Sequence, residues 1–372
     1  MIRPPGGDRG AIGFGEKLLA LLDYGSFTAT YKYAVLLGLI DLCLEHAGKA
    51  GEAPTSLTTR QLAAKVVALY WPHSLPFAAD DRAVVLRLRQ NTSGQAEILT
   101  LIRCFHEAES GVPLATMSQA RFNAPERFAR LVSDVEWKLI EMPLPRLQQL
   151  GATYDPFIYQ IGWDTTIRRP AARGPDFDNR ILLVEEAGEH LIRLAGLLRP
   201  LIQRQWAAMV ARVNRGLIED SRLEEFLFGT TRIQLRALRD PLCELQDGRC
   251  FYCGRQLVRP EVDHFLPWSR YPDKGIENLV LADTGCNAAK RDFLASTEHV
   301  HHWTARVSPD AATSEHLREI AERLGWESHP RRTLSVARAV YLRLPLDFRL
   351  WSREKEFIAL DRDLLRTSLL GV

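Results

Sequence analysis

The sequence lacks a strong charge of either sign. Across 372 residues, 48 lysines and arginines face 46 aspartates and glutamates, for a formal net charge of +2. No overall field announces a polyanion partner, so any nucleic-acid contact has to come from a local patch. A long apolar run is also missing. The best stretch, Tyr33 to Leu44, contains Asp41 and falls short of the roughly 20 residues that a membrane span needs. No membrane association is expected. The opening MIRPPGGDRG has no apolar core of a signal peptide, and a cytoplasmic protein is expected. Cysteine is sparse, at six residues, yet Cys243, Cys250, Cys253 and Cys286 crowd into 44 positions. In a reducing compartment such clustering reads as metal binding before disulfide formation. The isolated Cys43 and Cys104 read as buried core thiols.

What is present is ordinary globular material, with 46% hydrophobic and 25% charged residues. The length suits two or three domains. The first twelve residues, rich in proline and glycine, read as a poorly ordered tail. Helical spacing follows in FGEKLLALLDY and in TYKYAVLLGLIDLCLEH, the second apolar around most of its circumference and therefore central to a core. Ser56 to Tyr70 predicts a core helix with Thr58 or Thr59 as N-cap, and further helices are expected over Gln95 to Glu107 and Asn123 to Ile140, the latter capped by Asn123. Prolines and glycines between Leu144 and Arg168 break the pattern into short strands or a hairpin. The loop after it offers Arg168, Arg169 and Arg173 to phosphates or simply to solvent. Asn179 to Asn214 reads as a long helix kinked or divided at Pro200, and Thr231 to Leu245 as a second one broken near Pro241. Helices resume after Trp303, over Ser314 to Leu324 and Thr333 to Tyr341. The expected fold is α+β and predominantly helical. Residues 1–240 form a helical N-terminal region with a β-like insert near 144–168, 241–305 a small domain carrying the chemistry, and 306–372 a helical extension.

That chemistry lies in GRCFYCGRQLVRPEVDHFLPWSRYPDKGIENLVLADTGCNAAKRDFL. It holds Cys250-x-x-Cys253, then Asp263-His264, then Asn278 fourteen positions after the histidine, Asn287 nine further on, and Lys290 three beyond that. VRPEVDHF reads as a strand ending at the acid–histidine pair, WSRYPDKGIEN as a loop, NLVLAD as a second strand and CNAAKRDFL as the start of a helix. Phosphodiester hydrolysis needs a deprotonated water, neutralisation of phosphate charge and a stabilised leaving group. His264 has a side chain that is neutral and basic at cellular pH, so it is the candidate general base. Asp263 and Asn287 are oxygen ligands suited to a hard divalent ion, Mg²⁺ or Mn²⁺. Lys290, one turn after Asn287, shares its helix face and can reach a phosphate oxygen or face solvent.

The string DHFLPxS, the asparagine opening NLVLA and the helix motif CNxxKxD together resemble the HNH, or ββα-metal, endonuclease family over about sixty residues. The nearest likeness is to bacterial restriction-type members with a C-x-x-C zinc knuckle. A similar arrangement recurs in the HNH domain of RNA-guided CRISPR effector nucleases. The words TYKYAVLLGLIDL, LYWP and LRQN loosely resemble the helical region of bacterial HNH defence proteins. The resemblance implies a nuclease acting on nucleic acid, double-stranded DNA first and RNA second, in restriction or anti-phage defence. It implies that Asn278 holds the catalytic loop in register. It also implies a structural Zn²⁺ on Cys250, Cys253, Cys286 and a fourth ligand. Asp283 stands where the family has a cysteine or histidine; Cys243, His299, His301 and His302 are rivals. A zinc-stabilised binding protein without cleavage is the alternative from another class. A homodimer or a partner protein stays open.

Overall fold

The structure is a computed structural model that describes residues 7–24, 28–78, 85–108, 117–150, 153–215, 223–229 and 235–371. The tail expected before Gly7 and the helix start expected at Thr231 lie outside them. The chain is a predominantly helical α+β protein in two compact units, one drawn from 1–43 and 54–229, the other from 44–53 and 230–372. Among the described residues no helix is long and apolar enough to cross a membrane.

In the first unit, the helix Tyr31–Glu45 is the buried centre that its apolar circumference predicts, with Leu36, Leu37, Leu39 and Ile40 fully covered. Asp41, the charge inside that run, is buried in an ion pair with Arg199. Thr58 caps the helix Thr59–Tyr70 in a reciprocal box with Gln61, each side chain bonding the other's backbone N–H. Several expectations need correction. Residues 7–12, assigned to the tail, are the start of the helix Gly7–Tyr24. Ala124, not Asn123, precedes the helix Pro125–Glu141. Arg180–Leu183 is a strand, the middle one of three, paired antiparallel to Ser56–Thr58 and Tyr159–Ile161. Its alternating burial gives it period two, which the helical spacing farther on obscured. The helix after it, Ala187–Val213, then runs through Pro200 undivided, since Leu191, Ala195, Leu198, Ile202 and Trp206 bury one long face. Cys43 is buried as expected, whereas Cys104 is exposed.

A polar chain crosses this core. Gln90 Oε1 accepts from Thr30 Oγ1 at 2.8 Å and from Trp206 Nε1 at 2.7 Å. Gln90 Nε2 lies 3.2 Å from His73 Nδ1, and His73 Nε2 lies 2.8 Å from Leu227 O. The consistent arrangement is a neutral imidazole that accepts at Nδ1 and donates at Nε2. Burial pushes His73 down to about 4 despite those bonds.

In the second unit, Pro260–His264 pairs antiparallel with Leu279–Asp283, with Asp263 opposite Val280 and His264 opposite Leu279. The helix Thr284–Lys290 follows at once, giving the strand, loop, strand, helix order. Pro241 sits in the first turn of the helix Arg239–Leu245, where its missing N–H has no intrahelical partner to lose, so the helix is not broken there. Helices Thr297–Val307, Ala312–Leu324, Pro330–Tyr341 and Arg362–Leu370, with a hairpin of Arg349–Arg353 and Glu356–Ala359, complete the unit. The residues after Trp303 are therefore built into its core. Trp303 stacks on Phe265 at 4.8 Å between ring centroids, and Trp351 N–H bonds Leu294 O. Gly51 belongs here too, at φ 79°, where a Cβ would lie 2.6 Å from Arg338 O, so only glycine fits.

Candidate active site and metal centre

The cysteine cluster is assembled by backbone. Cys250 N–H bonds Arg255 O and Gly254 N–H bonds Cys250 O, both at 2.9 Å, closing a tight turn that Gly254 enters at φ 67°. Phe251 N–H bonds Leu281 O at 3.0 Å, pinning the turn to the return strand. Asp283 N–H then points at Cys250 Sγ, 3.3 Å away. The three sulfurs of Cys250, Cys253 and Cys286 lie within 4.8 Å of one another, a donor set that fits a thiophilic ion such as Zn²⁺. Burial raises Cys253, but the N–H of Arg255 and the thiols of Cys250 and Cys286 outweigh it and hold Cys253 below the usual thiol range.

Asp283 was the expected fourth ligand, and its side chain is placed elsewhere. Oδ1 accepts from Gly285 N–H at 3.1 Å, capping the site helix, and Oδ2 from Arg259 N–H at 3.3 Å. Among the described residues the metal-grade group comprises the three cysteines alone. Of the rivals, His299 bridges Ser296 Oγ and Tyr252 O at 3.0 Å each, His301 reaches Ser368 Oγ at 3.0 Å, and His302 stacks on Phe251 at 5.1 Å. All three ride on the helix Thr297–Val307 and have protein contacts of their own.

Asp263 and His264 are the last residues of their strand. Asp263 Oδ2 accepts from Tyr252 Oη at 2.6 Å and pairs with Lys290 Nζ at 3.0 Å. Both partners use the same oxygen, which leaves Oδ1 to another ligand. Lys290 Nζ also donates to His264 O at 2.8 Å, and the residue has no exposed surface. The expected phosphate contact is thus replaced by two protein partners. An ammonium without solvent access is held by the charge and carbonyl beside it.

His264 is half-buried against Trp268, ring centroids 5.2 Å apart, and its Nε2 is shut from solvent with no hydrogen-bond partner. Burial pushes its pKa down to about 4, against Asp263 and Asp273, which pull it up. The imidazole is neutral throughout the physiological range. Asn278 is fully buried and clamps the loop: Oδ1 accepts from Leu266 N–H at 2.7 Å, and Nδ2 donates to Leu266 O and Asp273 O at 3.2 Å each. Its own carbonyl accepts from Phe265 N–H at 2.7 Å, so both residues after His264 are tied to Asn278.

Three residues of the site escaped the sequence reading. Tyr252 anchors Asp263. Asp273, fully buried, accepts from Thr333 Oγ1 at 2.7 Å, Gly275 N–H at 2.9 Å and Arg332 at 3.1 Å, fixing the loop. Glu261 Oε2 accepts from Asn287 Nδ2 at 2.7 Å. Only Glu261 left a signal, standing two positions before Asp263 and so on the same strand face.

This is the architecture of a ββα nuclease with a cysteine knuckle. Residues 250–296 match the family model described as HNH endonuclease, so the chain carries an HNH endonuclease domain, a hydrolase module whose substrate is nucleic acid. The chain belongs to the family described as a domain of unknown function, DUF8808, whose model matches residues 15–227, more than half its length. No curated protein and no solved structure matches it.

Proposed function

We propose that the protein hydrolyses phosphodiester bonds of double-stranded DNA, with His264 as general base and one divalent ion, Mg²⁺ or Mn²⁺, held by Asp263 and Asn287. The observation that carries this reading is His264 at the end of its strand, next to an Asp263 that has one oxygen anchored and the other free of protein partners. The oxygen donors fit a hard ion, which supplies charge neutralisation at the phosphate. The chain's own groups do the rest. His264 takes a proton from the attacking water as a neutral imidazole, and Asn278 keeps Phe265 and Leu266 in register so that the ring stays at the end of its strand. Lys290 and Tyr252 hold Asp263. Cys250, Cys253 and Cys286 would hold a Zn²⁺ that ties the knuckle to the site helix, which carries Cys286.

In this reading the first unit supplies target recognition or regulation. The protein works in the cytoplasm, in restriction or anti-phage defence, alone, as a homodimer or with a partner protein. HNH elements meet the backbone more than the bases, so specificity needs another part of the chain. Supercoiled plasmid and structured RNA, each incubated with Mg²⁺ or Mn²⁺, test the reading. Nicking or linearisation of the plasmid is expected. Cleavage of RNA alone would reassign the substrate, and cleavage of neither would leave a zinc-stabilised binding protein.

A further inference from the structure

Glu261 is exposed, yet it holds one of the two groups assigned to the ion. Its Oε2 lies 2.7 Å from Asn287 Nδ2, across from strand to site helix. An asparagine amide has a donor end and an acceptor end, and only the acceptor end can bind a cation. At neutral pH a carboxylate only accepts, so it takes the NH₂ end of Asn287. The reverse orientation would set oxygen against oxygen. With Nδ2 on Glu261, Oδ1 is the end left to face away from it. Asp263, two positions on along the same strand face, has its own Oδ2 held by Tyr252 and Lys290. Each ion-binding side chain thus has one end fastened to the protein and one oxygen without a protein partner.

We propose that Glu261 is a positioning residue, which selects the amide orientation of Asn287 and so presents Oδ1 to the divalent ion. The inference rests on the one-ion nuclease reading but is tested by binding instead of cutting. Outer partners of this kind typically set metal affinity within about 10–100-fold. Because Glu261 is exposed on a hairpin strand, its replacement does not open the core. Mn²⁺ binding to the full chain, zinc-loaded, is titrated by electron paramagnetic resonance for wild type, Glu261→Ala and Glu261→Gln. Glu261→Ala loses the acceptor and is expected to bind Mn²⁺ about 10-fold more weakly. Glu261→Gln keeps an acceptor oxygen without the charge and is expected to recover most of that loss. Equal affinity in wild type and Glu261→Ala overturns the inference and leaves the nuclease reading standing. Equal weakness in Glu261→Gln and Glu261→Ala also overturns it, because charge or direct ligation then accounts for the effect. Failure of wild type to bind Mn²⁺ overturns both this inference and the one-ion reading.

Discussion

Lys290 and Asp263 form an ion pair of 3.0 Å in which the lysine has no exposed surface and the aspartate very little. The lysine thereby serves the acid, a role different from the phosphate contact its helix position suggests. Removing one partner of a buried pair leaves an uncompensated charge, at a cost of about 3–5 kcal/mol. Lys290→Met is expected to lower the stability of the second unit by that order in denaturant unfolding. The salt dependence of DNA binding measures the other role. A lost phosphate contact would reduce the slope of log K against log salt by about 1, whereas a lysine enclosed by protein leaves the slope unchanged.

Asp283 caps the site helix with the same carboxylate that zinc ligation would need. Zinc analysis of the purified protein is therefore expected to give one ion per chain in wild type and in Asp283→Ala, and none in Cys253→Ser or Cys286→Ser. The Asp283→Ala variant should melt somewhat earlier because the cap is lost. Loss of zinc from Asp283→Ala would restore the aspartate as a ligand.

Asn278 makes three side-chain hydrogen bonds inside the loop after His264. Asn278→Ala strands those loop groups, at about 1–3 kcal/mol for each one left unsatisfied. Cleavage should fall while Mn²⁺ affinity stays near wild type, because no ligand atom is removed. Lowered affinity with an unchanged rate would contradict a role in loop register.

His73 is buried neutral in the first unit, with its pKa pushed down to about 4 from the ordinary 6.5. The unfolded chain binds that proton more readily, so stability is fully present above pH 6.5 and is lost as pH falls toward 4. Between pH 7 and pH 5 the loss from this residue is about 2 kcal/mol. Denaturation of the first unit across that range should show it in wild type, with a shallower dependence in His73→Phe. Equal slopes would place the effect elsewhere.

The strand, loop, strand and helix of the site were legible because their residues announce them locally: alternation in PEVDH, a continuous apolar run in LVLA, Pro272 and Gly275 in the loop, and Ala288, Ala289 and Lys290 in the helix. The chemical types at Asp263, His264, Asn278 and Asn287 stood at spacings that the connection itself sets. Tyr252 and Asp273 were not legible, and Glu261 only by its place two positions before Asp263, because their roles arise only when the knuckle, the hairpin and the helix Pro330–Tyr341 meet. Lys290 was misread for the same reason. Helical periodicity shows which residues share a face, but not that the face turns inward. In the first unit, Arg180–Leu183 was absorbed into a longer helix because four residues are too few to establish a period of two.

The central claim is that His264 removes the proton from the attacking water. Single-turnover cleavage of supercoiled DNA with Mn²⁺, by wild type and by His264→Ala of matched zinc content, tests it most directly. A rate lower by about 10²–10⁴-fold in the variant, with DNA binding and Mn²⁺ affinity retained, is the predicted result. Equal rates in the two proteins would contradict it.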